Sequence, residues 1–426
     1  MKKIFYLYLL FFGFSSLYSQ NIDIYTIGTM ADSLPYYRHA VVYHNGELIS
    51  HLNIEGAANT EATGIFVHND DVYVSGTQNA PYWGGALVWK NESVDTLSMD
   101  ALAHGIYVST SGNVYVVGDK VYGTIYNDRA KLWKNGEDLY DLPNGYAMSV
   151  FIDESNNEED AYFGGLFGTG AVVWKNGVRY NRMLYGQYES SVRSVFFDHG
   201  HVYAGGYAET PAFNLPVPIG KVWKNGDEIY SFGDANYPVY VHTVCVFGND
   251  VYAGGNQIWY GSLTQAKVWK NGEELYSYDP PINNDVPFAS ITKIVVLEDN
   301  VYAAGYVGPN GKVWKNGEEL FSFLNCWIED MFIDTHGVGI AEHEAEAGVK
   351  VYPNPAREQV TVKLPLTKNG EGAKAVFVLY DVQGRELLRQ EIGDKESINV
   401  SRFGAEIYIY TVEFGERKST GKLVKN

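Results

Sequence analysis

The sequence predicts an all-β chain, a seven-bladed β-propeller followed by a small C-terminal β-sandwich. Three observations predict it. Three short sequence blocks each recur seven times at intervals of about 45 residues, and an Asn-Gly pair punctuates nearly every unit. The composition holds 34 Tyr, 9 Trp and 45 Gly against only 19% charged residues, which favours strands and tight turns over helices. At 426 residues the chain is too long for one compact core. With 46% hydrophobic residues it is also too apolar for general disorder.

The first residues read as an address. Lys2 and Lys3 precede an apolar run from Ile4 to Leu17, and Ser15, Ser16 and Ser19 lead to Gln20. That is the order of a secretory signal peptide, residues 1–19. The run is shorter than the roughly 20 residues a spanning helix needs, and no later segment qualifies, so no transmembrane segment is expected.

The repeat occupies residues 20–341. Its most visible block is VWKNG, and aligning Tyr43 with Trp89, Trp133, Trp174, Trp223, Trp269 and Trp314 gives spacings of 46, 44, 41, 49, 46 and 45 residues. A second block, VYAGG in its commonest form, runs in step from Ile24 to Gly305, and a third runs from the IFVHN segment at Ile65 to MFIDT at Met331. Each unit yields four strands in order: the IFVHN type, the VYAGG type, VWKNG, and a short piece such as ELYSY. The Asn-Gly pair suits a two-residue hairpin, whose central positions both need positive φ. Four short strands repeated at this period are the mark of a propeller blade. The aromatic residue before each Lys-Asn-Gly reads as core packing, and the lysine as solvent-facing. The chain enters the repeat in mid-blade near Ile24 and leaves it with the missing partner strand near Phe332, so pairing the two would close a ring without free edges. The Gly pair after the second strand resembles that of kelch-type blades; the fixed Tyr and Trp spacing of that family is absent, so the resemblance is architectural.

Residues 342–348, EHEAEAG, form a short polar linker. Residues 349–426 then alternate strand-like runs with turn residues, a small sandwich. They carry Tyr352, Pro353, Asn354 and Pro355, then Leu379, Tyr380, Asp381, Gly384 and Arg385, and finally Lys422, Val424 and Lys425. In this order the motifs resemble the C-terminal type A sorting domain of type IX secretion cargo. The resemblance implies the type IX secretion machinery as a partner, passage through the outer membrane, and release or attachment at the cell surface. Glu406 stands before Ile407 and Tyr408, with Gly404 displaced, where that family usually has a glycine.

Charge bears on function. The formal net charge is −19; the segment from 348 onward carries +3 and the leading lysines +2, which leaves −24 on residues 21–347. Nucleic acid is therefore not an expected partner. Neither HExxH, GxSxG nor a phosphate-cradling GxxxxGK occurs, and the two cysteines, Cys245 and Cys326, supply no zinc set, so no metal or other cofactor is expected. The acidic run Asp153–Asp160 has oxygen donors for calcium but lacks the glycine and glutamate of a calcium loop, and reads as a solvated insertion. The two cysteines fall two blades apart and read as buried thiols rather than a bridge.

The loops between second and third strands share a face with the connections between blades, and that face gathers aromatic residues. Trp83, Tyr126, Tyr207, Trp259, Tyr260, Tyr306 and Trp327 are the candidate ligand-binding residues, because exposed aromatic planes stack on sugar rings or anchor protein partners. The favoured reading is a monomeric, non-catalytic binder of an extracellular glycan or protein. The alternatives are a secreted hydrolase or lyase with channel carboxylates such as Glu189, Asp234 or Asp285, and a structural surface component. N-terminal sequencing of the exported protein is expected to begin at Gln20; a retained Met1 would remove the export reading of the first segment.

Overall fold

A computed structural model describes residues 22–425 except 32–37, 55–58, 80–83, 121–127, 156–157, 183–188, 212–215, 235, 260–262, 281–286, 298, 336–349, 353–355, 365–374, 381–385, 394, 405–406 and 415–416. Among the described residues every helix-or-strand element is a strand, and no helix is long and apolar enough to cross a membrane. The described residues divide into two compact units, one spanning Asp23–Asp334 and the other drawn from the chain beyond it.

The larger unit is a β-propeller: seven four-stranded antiparallel sheets, each packed against the next in sequence order. In the sheet that joins the two ends of the unit, the strand Asp23–Ala31 lies between Arg38–His44 and Cys326–Asp334, with Tyr25 opposite Phe332 and Ile24 opposite Ile333. Cys326–Asp334 in turn packs on the neighbouring sheets at both sides, so the succession of sheets closes on itself.

The hairpin block explains why the units look alike. The asparagines of Lys-Asn-Gly hold φ near +50° and the following glycines +76° to +94°, as the two-residue turn demands. At all seven turns the Asn Oδ1 also accepts a backbone N–H from the start of the second strand, at 2.8–2.9 Å. Each such bond ties the third strand's turn to the strand beside it. The glycine has a second reason at Gly272, where a Cβ would meet the Tyr230 ring of the preceding sheet at 2.7 Å.

The repeated Trp side chains are packed as expected, Trp223 fully and Trp89 to 1% exposure. The lysine after them is not simply solvated. Lys90, Lys175 and Lys270 each reach an aspartate at 2.7 Å while lying about 5 Å over a second-strand tyrosine ring. A tyrosine face attracts a cation, and a carboxylate beside it holds the lysine there.

The second-strand glycine is sterically forced. Each innermost strand carries one extra residue against its partner, a β-bulge, for example between Val192 and Ser194 and between Val241 and Thr243. The bulge drives a carbonyl oxygen toward the facing strand. A Cβ on Gly206 would sit 2.0 Å from the Ser191 oxygen, one on Gly255 1.9 Å from that of Tyr240, and one on Gly28 2.5 Å from that of Trp327. Only glycine leaves the bulge room.

Neighbouring sheets are also stitched near the axis. The side-chain oxygens of Ser149, Ser194, Thr243 and Asp330 accept the N–H of Val195, Val244, Ile294 and Ile65 respectively, at 3.1–3.3 Å. Cys245 and Cys326 are free and buried, their thiols pushed up to about 12 by burial.

In the smaller unit a three-stranded sheet (Lys350–Tyr352, Gln359–Lys363, Lys395–Asn399) and a four-stranded sheet share one core that includes Val360, Val362, Phe377, Leu379, Val412 and Leu423. At the place where a glycine is displaced, the Tyr408 hydroxyl donates to the Gly404 carbonyl at 3.2 Å.

Replacing Gly206 with valine is expected to cost about 3 kcal/mol or more, because the Ser191 carbonyl must move with the bulge. A urea unfolding curve measures it; an unchanged midpoint would show that the bulge is not held by this glycine.

Candidate functional site: the axial cavity

The bulges decide what lines the axis. The extra residue of each innermost strand is Thr63, His104, Met148, Arg193, His242, Thr292 or Glu329, one from each sheet. All seven line a single cavity of about 410 Å³, completed by the next residues of the same strands and by Tyr306 and Trp327. Without the bulge, strict alternation would turn these side chains into the space between sheets.

Three sectors of the wall differ in character. In the first, the Tyr306 and Trp327 rings stack at 4.7 Å with an 18° interplanar angle, and the Trp327 Nε1–H donates to the Gly308 carbonyl at 3.0 Å. This leaves an ordered aromatic wall beside polar neighbours. The second sector is acidic. Glu329 is recessed in the wall, and burial, with the Glu61 carboxylate close by, pushes it up to about 7 against the pull of Arg38. Its neighbour Asp330 is committed elsewhere, to Lys293 at 3.0 Å and to the Ile65 and Met331 N–H groups.

The third sector holds Arg193 and His242. Burial and the nearby Arg193 charge lower His242 to about 4, so its ring is neutral at physiological pH. It lies 2.7 Å from the Asn256 Oδ1, an acceptor, so the Nε2 carries the proton. The Arg193 guanidinium lies 5.6 Å from the centre of the Tyr207 ring. Tyr207 donates its hydroxyl to Glu189, and burial raises its own titration far above the ordinary range. On the opposite side of the ring His104 meets Asp119 at 2.5 Å.

Of the seven aromatic candidates, Tyr306 and Trp327 come together on the cavity wall. Tyr207 is 5% exposed and sits behind Arg193. Trp259 lies outside the cavity lining; its ring packs on Tyr237 at 4.5 Å and its Nε1–H donates to Gln265 at 3.3 Å. Trp83, Tyr126 and Tyr260 lie outside the described residues. Among the suggested carboxylates, Glu189 takes the Tyr207 hydroxyl and Asp234 sits in an exposed turn accepting the Asn236 N–H at 2.7 Å. Asp285 lies outside the described residues. The acidic residues of the cavity wall are instead Glu329 and Asp330.

In the acidic run, Glu154 accepts both the N–H and hydroxyl of Thr110, while Glu159 accepts from Ser111, Asn113, Tyr115 and Lys134. Those two carboxylates thus serve a neighbouring turn, and no cluster of metal-ligating side chains occurs among the described residues.

Residues 350–426 match the family model of the secretion system C-terminal sorting domain. The chain carries a type IX sorting domain. That domain directs export, with attachment to the outer cell surface or secretion as the outcome. Within it, Pro353, Asn354, Pro355, Asp381, Gly384 and Arg385 lie outside the described residues, and Lys422 falls in the last strand, opposite Ile409. No curated protein matches the chain. Among solved structures, a protein of unknown function from Bacteroides caccae is similar over 73% of this chain and 98% of its own, at 10% identity and a TM-score of 0.37. The polysaccharide lyase Uly1 is similar over 72% and 88%, at 10% identity and 0.38. Drosophila Semaphorin 1a is similar at 8% identity and 0.31 over 49% of this chain, which spans about half (52%) of that structure. Likenesses this remote carry no functional argument.

Glu329 supplies a pH signature. The folded chain keeps its proton up to about 7, while the unfolded chain releases it near the ordinary 4.5. Between these values the folded state binds more protons, so stability falls as pH rises. Glu329→Gln is expected to flatten that fall by on the order of 2 kcal/mol, read from melting temperatures between pH 4 and 8; parallel curves would contradict the assignment.

Proposed function

We propose that residues 20–341 form a seven-bladed propeller that works at the cell surface as a monomeric, non-catalytic binder of an extracellular glycan. In this reading residues 1–19 are a cleaved signal, 342–348 a linker and 349–426 the sorting domain. The observation that supports it most is the stacked Tyr306–Trp327 wall inside a cavity that also presents polar side chains such as Arg193, His242, Thr292 and Glu329. Sugar rings present an apolar face and a hydroxyl rim, and this combination offers each its partner. The narrow axial cavity suits a glycan chain or end better than a protein surface, which needs a wide contact area.

One observation favours a second reading. A recessed carboxyl that holds its proton near neutrality is the form a general acid takes, so Glu329 supports hydrolase or lyase chemistry as the alternative. A paired base with a free carboxylate is not among the described cavity residues, since Asp330 is bound to Lys293.

A glycan array probed with the purified exported protein, run beside an assay for new reducing ends and unsaturated products, separates the two. Binding without products, weakened at least tenfold by Trp327→Ala, is the expected result. Turnover that Glu329→Gln abolishes would replace binding with catalysis.

A further inference from the structure

We infer that the axial cavity seats an anionic group of its ligand, a carboxylate or a sulfate ester, on the Arg193 guanidinium. This rests on the glycan-binding reading and narrows it to acidic glycans.

The cations of the cavity region are not alike. Lys293 is bound to Asp330 at 3.0 Å, and Arg38 faces Glu61 at 3.8 Å. Arg193 has neither an ion pair nor a side-chain hydrogen bond among the described residues, and its Nε is buried with no partner. Four other buried polar atoms lack partners, on Thr26, Trp223, Tyr278 and Thr411, but these are neutral and none lines the cavity. A buried guanidinium nitrogen without an acceptor is costly, and a protein retains one where something supplies the missing partner. Glu189, whose charge acts on the same tyrosines as Arg193, accepts the Tyr207 hydroxyl and makes no ion pair with the guanidinium among the described residues.

The surroundings suit an anion. Arg193 sits on a bulge, which aims it into the cavity rather than between sheets. His242 beside it is neutral, with its proton on Nε2 toward Asn256. It therefore neither competes for the anion as a second cation nor repels it. Tyr146 and Tyr207, both within reach of the Arg193 charge, place hydroxyls on its flank, where the Glu189 carboxylate also acts on them. A guanidinium presents paired N–H groups that match the two oxygens of a carboxylate or sulfate.

The strongly negative net charge of the propeller does not defeat this. Charges more than about 8 Å away are screened at physiological salt, whereas a contact ion pair in a recessed site is not. The same field predicts that the anion is held by short-range contact and is not steered from afar.

The test uses the full exported chain and two probe sets. In the first, ¹⁵N spectra of the Arg193 Nε–H, assigned by its absence in Arg193→Lys, are followed during titration with sodium sulfate and sodium acetate against a sodium chloride control. A saturable shift with sulfate or acetate and none with chloride is expected, and which anion gives it names the source. No saturable shift overturns the inference. In the second, calorimetry compares an oligogalacturonide with its carboxyl-reduced neutral counterpart, and a sulfated galactan oligosaccharide with its desulfated form. An acidic member is expected to bind at least tenfold more tightly than its neutral twin, with that preference erased by Arg193→Gln. Equal affinity of both twins, or a preference that survives Arg193→Gln, overturns the inference but leaves glycan binding standing. Anions that seat at Arg193 while every sugar fails would instead uphold the anion seat and remove the glycan reading beneath it.

Discussion

A carbonyl oxygen pressed against the place where a side chain would begin is the constraint on which this molecule turns. Every innermost strand of the propeller is one residue too long for its partner, and the surplus is absorbed by a bulge that pushes a carbonyl toward the second strand. At Gly206 and Gly255 that oxygen lies about 2 Å from the position of an absent Cβ. No ordinary contact is so short, and the overlap far outweighs the roughly 1 kcal/mol available from a hairpin hydrogen bond in the same unit. The glycine makes the bulge possible, the bulge turns a side chain toward the axis, and the seven turned side chains make the cavity.

The architecture was legible because its supports repeat. Asn-Gly turns, the packed Trp, and the Gly of the second strand recur at nearly fixed spacing, and each serves the same bond or gap in every unit. The cavity was not legible for the opposite reason. Its seven bulge positions hold Thr, His, Met, Arg, His, Thr and Glu, so no residue type recurs to draw attention. A signal was nonetheless present: each lies two residues before the first apolar residue of the third block, where alternation between faces slips. Abundant tyrosine directs attention outward to loops, where Trp259 is 37% exposed and packs on Tyr237. Tyr306 and Trp327 reach the cavity wall from strands, Asn300–Val307 and Cys326–Asp334, rather than from loops.

Charge works on two scales here. Residues 21–347 carry a net −24, and at the outer hairpins Asp71, Asp160 and Asp250 are each paired with a lysine. The axis holds a separate local balance, in which Glu329 keeps a proton, His242 has lost one and Arg193 has no ion pair among the described residues. Burial sets the first two states and geometry the third. The surface charge thus says little about what the axis would accept.

The pairing of Asp23–Ala31 with Cys326–Asp334 has a temporal meaning. Two strands more than three hundred residues apart in the chain must meet before either loses its open edge, so the ring seals only when its last ribbon has been made. In this protein that ribbon directly precedes the segment carrying the passport for the outer membrane. A chain that has emerged far enough to present its export signal has also emerged far enough to shut its own seam, and with it the two sticky borders by which unfinished sheets join their neighbours.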